Sequence, residues 1–137
     1  MEMSAEVAEL FKALSKFQGE ATNSFKGNSG HGYNYSDLAT CIDTAKPHLK
    51  ASGLAVTQLL GSDSNGKQTL TTMLTHESGQ WMRDAFTMPE ANLQGGGGKN
   101  PAQILGSSIT YSRRYAFAAI IGMAQTDDDA AKVEAPP

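Results

Sequence analysis

Two adjacent arginines, Arg113 and Arg114, close a run of small hydroxyls and tyrosines, Gly106-Ser-Ser-Ile-Thr-Tyr-Ser-Arg-Arg-Tyr115. A guanidinium is permanently charged and forks onto phosphate oxygens. Ser107, Ser108 and Thr110 add short hydroxyls, and Tyr111 and Tyr115 add aromatic faces. This is chemistry that holds a nucleic-acid backbone without cutting it. Neighbours on a helix point about 100° apart, so at most one of the two arginines occupies the centre of a polar face. The other lies at its edge, near a partner subunit or a second phosphate. The competing reading is a pair of surface arginines in ion pairs. Lys26, Tyr33 and Tyr35 form a second group beside His31. Cations next to aromatics serve single-strand binders by tracking phosphates and stacking bases. The alternating tyrosines equally fit one core and one exposed side chain. Lys99 stands at a helix N-terminus, where anions are favoured.

Other motifs fail on their chemistry. Gln94-Gly-Gly-Gly-Gly-Lys-Asn100 invites a phosphate-loop reading. That motif needs glycine, four residues, then Gly-Lys-Ser/Thr, and here Leu93 and Asn100 stand at the first glycine and the hydroxyl. Asp127, Asp128 and Asp129 have the oxygen ligands a divalent cation takes, but three in a row lack the rigid scaffold of a metal clamp. They read as a solvated acidic stop, as a screen over a basic groove, or, in a second hypothesis, as the centre of a metal-dependent nuclease. His31, His48 and His76 have no zinc spacing with Cys41. No serine, histidine and acid set stands out as a triad. The residues therefore imply no catalytic group, no metal and no cofactor.

Helices, strands and loops must position these groups. The run from Asn100 begins with a capping residue and Pro101 at the first helical turn, and Gly122 suits its C-terminal end. Ile104, Leu105, Ile109, Tyr115, Ala116, Ala119 and Ile120 recur at helical spacing and predict its buried stripe. Gly106 is a poor helix former by about 1 kcal/mol, which packing or a ligand contact would offset. A first helix is expected over residues 4–17, capped by Ser4, with Val7, Leu10, Phe11, Leu14 and Phe17 on its apolar face. A Gly-rich loop follows over residues 19–32. A second helix starts near Ser36, is kinked or split by Pro47 and ends at Gly53. Three strands are expected over residues 54–60, 69–75 and 80–88, separated by Ser62-Asp-Ser-Asn-Gly66 and Glu77-Ser-Gly79, an antiparallel meander. Trp81 opens the third strand and reads as core or edge packing, and Tyr115 as core or subunit packing. The fold class is α+β: a three-stranded antiparallel β-meander packed with N-terminal helices and a long C-terminal helix. Residues 1–126 make one domain, and residues 127–137 an acidic tail and the start of a linker. The outer strands of the sheet could pair with neighbouring subunits.

The chain has 137 residues and a net charge of −3. Setting aside Asp127, Asp128, Asp129, Glu134 and Lys132 leaves ten acids and ten bases. The body is neutral, so any basic face is local, and affinity for nucleic acid is expected to be modest per subunit and salt-sensitive. One cysteine, Cys41, allows no internal disulfide and fits a reducing compartment. No apolar run is long enough to span a bilayer, and no signal peptide opens the sequence. A cytoplasmic location is the expectation.

The pattern Gly106-Ser-x-Ile-Thr-Tyr-x-Arg-Arg-Tyr-Ala116, followed by Asp127-Asp-Asp129, resembles the signature of the Erf (essential recombination function) family of phage single-strand annealing proteins. Lys16-Phe-Gln-Gly19, Gly32-Tyr-Asn-Tyr-Ser-Asp-Leu38 and Lys46-Pro-His-Leu-Lys-Ala-Ser-Gly-Leu54 are similar to further family elements in the family's order. The resemblance implies ATP-independent binding of single-stranded DNA and annealing of a complementary strand in phage homologous recombination, inside a bacterial host cell. It implies a homo-oligomeric ring or helical filament, and an annealing-mediator-like sheet and long helix that build a DNA groove. Arg113 and Arg114, with Lys26, Tyr33, Tyr35 and Lys99, are carried over to that groove. A host single-strand-binding protein is an expected partner through a C-terminal region that this sequence does not contain. A third hypothesis is an oligomeric scaffold that does not bind DNA, with the arginines in subunit salt bridges.

Overall fold

A computed structural model describes residues 1–26, 37–90 and 100–124 of the chain. In chain order the elements are β1 (Glu2–Met3), α1 (Ala8–Lys26), α2 (Leu38–Ala51), β2 (Leu54–Ser62), β3 (Gln68–His76), β4 (Trp81–Thr87) and α3 (Pro101–Ile121). The strands form one antiparallel sheet in the order β1-β4-β3-β2. The α+β class and the meander stand as expected, and the sheet gains a fourth strand. β1 has two residues, too few to show an alternating pattern, and it pairs with Arg83 and Met82.

The meander is set by its turns. Asp63 accepts from the N–H groups of Asn65 and Lys67, and Gly66 takes the left-handed φ of 80° that closes the β2–β3 hairpin. On β3, Leu70, Thr72 and Leu74 alternate as the buried face, and the register places Val56 and Met82 beside Leu74. That face carries the helices. Leu10, Phe17 and Ala21 of α1, Cys41, Ala45 and Leu49 of α2, Leu54 and Leu74 of the sheet, and Phe117 and Ile121 of α3 make one core cluster. Leu10 and Phe17 are fully buried, each worth about 1.5–3 kcal/mol by area.

Three boundaries differ from the sequence reading. Ser4 does not cap α1: its hydroxyl donates to the carbonyl of Glu6 and accepts from the Trp81 N–H, tying the N-terminal segment to β4. α1 runs to Lys26, through part of the segment expected to be loop. Gly19 lies on its exposed side, while Phe17 and Ala21 anchor the other side in the core. α2 begins later than expected, capped by Asp37, and remains one helix through Pro47. Pro47 is exposed and sits between the buried anchors Ala45 and Leu49, so packing outweighs the missing backbone bond. Gly53, at φ 72°, follows the end of α2 as expected.

Candidate nucleic-acid interface

α3 is the scaffold. Asn100 and Gln103 form a reciprocal capping box, Pro101 occupies the first turn, and Gly122 ends the helix at φ 79°. The helix is therefore fixed at both ends, and its phase decides what each side chain meets. The buried residues are Ser112, Phe117, Ala118 and Ile121, which corrects the expected stripe. Leu105 and Tyr115 are exposed, Ala119 is exposed, and Ile104, Ile109, Ala116 and Ile120 are half-buried. Small Ser112 and Ala118 form part of the inward line, which a hydrophobic period cannot single out. Tyr115, Ala116, Ala119 and Ile120 instead line one side of a groove of about 570 Å³ against Met82 and Phe86 of β4.

The two arginines diverge, as adjacent helical residues must. Arg113 turns to the sheet. Its Nε donates to Gln58 Oε1 at 3.2 Å, while Gln58 Nε2 donates back to the Arg113 carbonyl and to Thr72 Oγ1, each at 3.1 Å. This two-way amide lock clamps α3 onto β2 and β3. Arg114 turns to the opposite flank. Its guanidinium carbon lies 5.0 Å from the ring centre of Tyr115 and 6.0 Å from that of Tyr111, within cation–π range. The two rings are 4.8 Å apart and tilted by 52°. Tyr111 is 56% and Tyr115 36% exposed, so core packing of Tyr115 is overturned.

Arg114 opens onto a cleft of about 690 Å³ between α3 and the start of α2. Gln103, Ser107, Thr110 and Arg114 recur along α3 at helical spacing and form its polar wall, with Gly106 and Tyr111 beside them. A Cβ built on Gly106 would meet nothing within 4 Å. No packing offsets this glycine, and its effect is to widen the cleft. Asp37 and Leu38 form the facing wall. Asp37 caps α2 by accepting from Thr40 N–H at 2.9 Å. Its carboxyl is held below the ordinary carboxylate value chiefly by hydrogen bonds from the Thr40 backbone and side chain. The nearby Arg114 charge lowers it further, and burial opposes the shift. The cleft thus holds one guanidinium and one carboxylate along a wall of hydroxyl and amide groups. That arrangement suits a polar, charged strand whose phosphates meet Arg114.

Of the other residues singled out from sequence, Lys26 is the last residue of α1, and its side chain is not among those described. Tyr33, Tyr35 and Lys99 lie outside the described residues, as do Asp127, Asp128 and Asp129. Sequence reading missed Asp37, Gln103 and Gln58. The polar spacing from Gln103 to Arg114 was a signal for the cleft wall, whereas nothing in β2 marked Gln58 as an arginine partner. Trp81 is half-buried at the β1 side of β4, with the Arg83 guanidinium 4.8 Å from its ring, in keeping with edge packing. Among the described residues, no group of three His, Cys, Asp or Glu could hold a metal ion, and no helix is long and apolar enough to cross a membrane.

A family model described as the ERF superfamily matches residues 5–136. Neither the curated proteins nor the solved structures gave a match to this chain.

Proposed function

Since the chain belongs to the ERF superfamily, a family of phage single-strand annealing and recombination proteins, we propose that it binds single-stranded DNA along the α3 cleft and anneals it to a complementary strand without ATP. The protein supplies charge neutralisation and alignment, and base pairing supplies the energy. It performs no covalent chemistry and needs no metal. The observation that carries this reading is the polar stripe from Gln103 to Arg114, ending in a guanidinium flanked by two exposed tyrosines in an open cleft.

The residues divide the work. Arg114 meets backbone phosphate. Tyr111 and Tyr115 offer stacking faces, which tolerate any base sequence. Gln103, Ser107 and Thr110 hydrogen-bond the backbone. Arg113, engaged with Gln58, holds α3 at its angle on the sheet and contributes charge from the sheet side. By the family resemblance, Lys26, Tyr33, Tyr35 and Lys99 add cations and aromatic faces to DNA binding. A single guanidinium per cleft binds weakly, so copies of the chain act side by side as a homo-oligomer, each holding a few nucleotides with bases presented outward. The site of action is the cytoplasm of the bacterial host.

The test is a fluorescence titration of unlabelled protein into labelled oligonucleotides of different sequence. Weaker binding by Arg114→Ala across all sequences is expected. A weakening confined to one sequence would refute backbone recognition, and magnesium-dependent cleavage removed by Asp128→Ala would establish a nuclease instead.

A further inference from the structure

The helix-bearing face of the sheet stays open between α3 and β4. The register sets Met82, Asp84 and Phe86 of β4 beside Leu74, Thr72 and Leu70 of β3 on that face. The β3 residues are buried beneath the helices, whereas Phe86 is 46% exposed. The gap is the groove of about 570 Å³, within the roughly 300–1,000 Å³ of small-molecule sites. Its walls are apolar and partly aromatic, with Met82 and Phe86 on the sheet and Tyr115, Ala116 and Ala119 on the helix. Its floor is polar, because Ser112 and Thr72 alone among its lining residues are buried.

Ser112 is 2% exposed, and its hydroxyl has no hydrogen-bond partner among the described residues. A buried polar group left unpaired costs stability, and alanine would fill the same space without that cost. Thr72 Oγ1 accepts from Gln58 Nε2, and its O–H is still able to donate. Two hydroxyls beneath aromatic walls suit a flat ligand whose rim carries hydrogen-bonding atoms. Charge narrows the class further. The Met1 ammonium lies 3.2 Å from the Asp84 carboxylate, and Arg83 Nε lies 2.7 Å from that of Glu2. The charges at the mouth therefore cancel in pairs, and the groove suits a neutral ring rather than a phosphate.

We propose that this groove is a nucleobase site, which takes one base of the strand held at Arg114. The proposal rests on the strand-binding reading above. Tyr115 joins the two sites: its ring centre lies 5.0 Å from the Arg114 guanidinium carbon, and the same residue lines the groove. Helical side chains lean toward the N-terminus, so the Tyr115 ring lies over the turn that holds Ser112. A base that moves under that ring stacks on it and on Phe86 and reaches the Ser112 hydroxyl. Every base has donors or acceptors on its edge, and a hydroxyl both donates and accepts, so the site is indifferent to sequence. A base of a single strand is also the least costly to turn inward. The other bases on the subunit stay outward for pairing. The inserted base fixes the position of the strand and is released when its complement arrives.

The test uses Ser112→Ala and Ala119→Leu in the full chain. The first removes the hydroxyl at nearly constant volume. The second fills the groove from an exposed helix position with another good helix former. Saturation-transfer NMR on free deoxyadenosine and thymidine reads binding at any assembly mass, with N-acetylphenylalanine amide as an apolar peptide probe. Both nucleosides should bind wild type, about fivefold more weakly after Ser112→Ala, the size of one hydrogen bond. Ala119→Leu should abolish binding, and the Tm of Ser112→Ala should equal or exceed that of wild type. No transfer to nucleosides, or transfer that both variants leave unchanged, would overturn the site. Tighter binding of the phenylalanine probe, unchanged by Ser112→Ala, would overturn it in favour of an apolar peptide partner. Oligonucleotide binding is measured in parallel. Nucleosides that bind in the groove of a protein that ignores oligonucleotides refute the annealing reading alone. Oligonucleotides that bind while nucleosides do not refute the base site alone.

Discussion

Arg113 and Arg114 are adjacent in sequence and separated in role. The helical offset was legible from spacing alone, but which arginine faces which side depended on α3's phase, set by buried Ser112 and Ala118 as much as by Phe117 and Ile121. Arg114→Ala should weaken single-strand binding for every sequence and reduce the salt slope by about 0.7 for each phosphate it no longer neutralises. A salt series of binding titrations reads this directly. Arg113→Ala removes the Nε–Gln58 Oε1 half of the lock, leaving the Gln58 bond to the residue-113 carbonyl, and should lower Tm by more than Arg114→Ala does, with the smaller change in salt slope. Asp37→Asn is a sharper probe of the cleft, because asparagine still caps a helix while the charge facing Arg114 is gone. Single-strand affinity should rise, and a fall would mean that Asp37 orients Arg114 for binding. The pH dependence has a defined sign. Asp37 titrates lower in the folded chain than in the unfolded one, so its contribution to stability is complete above the ordinary carboxylate pKa. That contribution disappears as pH falls through the depressed folded value. Asp37→Asn should flatten that part of an acid-denaturation curve.

The elements show what local chemistry determines. The caps of α3, the end of α2 at Gly53 and the two hairpin turns were legible because each rests on one or two residues with a specific backbone need. Gly122 is a case: its φ is 79° and the Gln18 side chain occupies the space a Cβ would need. Gly122→Ala should cost at least the roughly 1–2 kcal/mol of a left-handed L-residue, seen as an earlier midpoint in urea. Asn100→Ala should cost about 1 kcal/mol through removal of the cap. What was not legible depends on tertiary contact. β1 is too short for a pattern and exists because Ser4 and Glu2 find Trp81 and Arg83. The second half of α1 has loop-like composition and is helical because Phe17 and Ala21 reach the core. Pro47 does not split α2 because the buried anchors on either side hold the helix together.

At the scale of the whole molecule, the neutral body and the single guanidinium in each cleft give one subunit little hold on a polyanion. Annealing on this account is a property of subunits in series, with the α3 clefts forming a path for one strand. Activity should therefore fall with salt more steeply than the binding of one isolated subunit. The Arg114 stripe, the tyrosine pair and the family match at residues 5–136 converge on that account. The most direct test mixes two complementary dye-labelled oligonucleotides, without ATP, with wild type or Arg114→Ala. The account predicts faster pairing with wild type and no such acceleration in the variant at unchanged oligomer mass. Acceleration that survives Arg114→Ala would contradict the claim that the α3 cleft holds the strand.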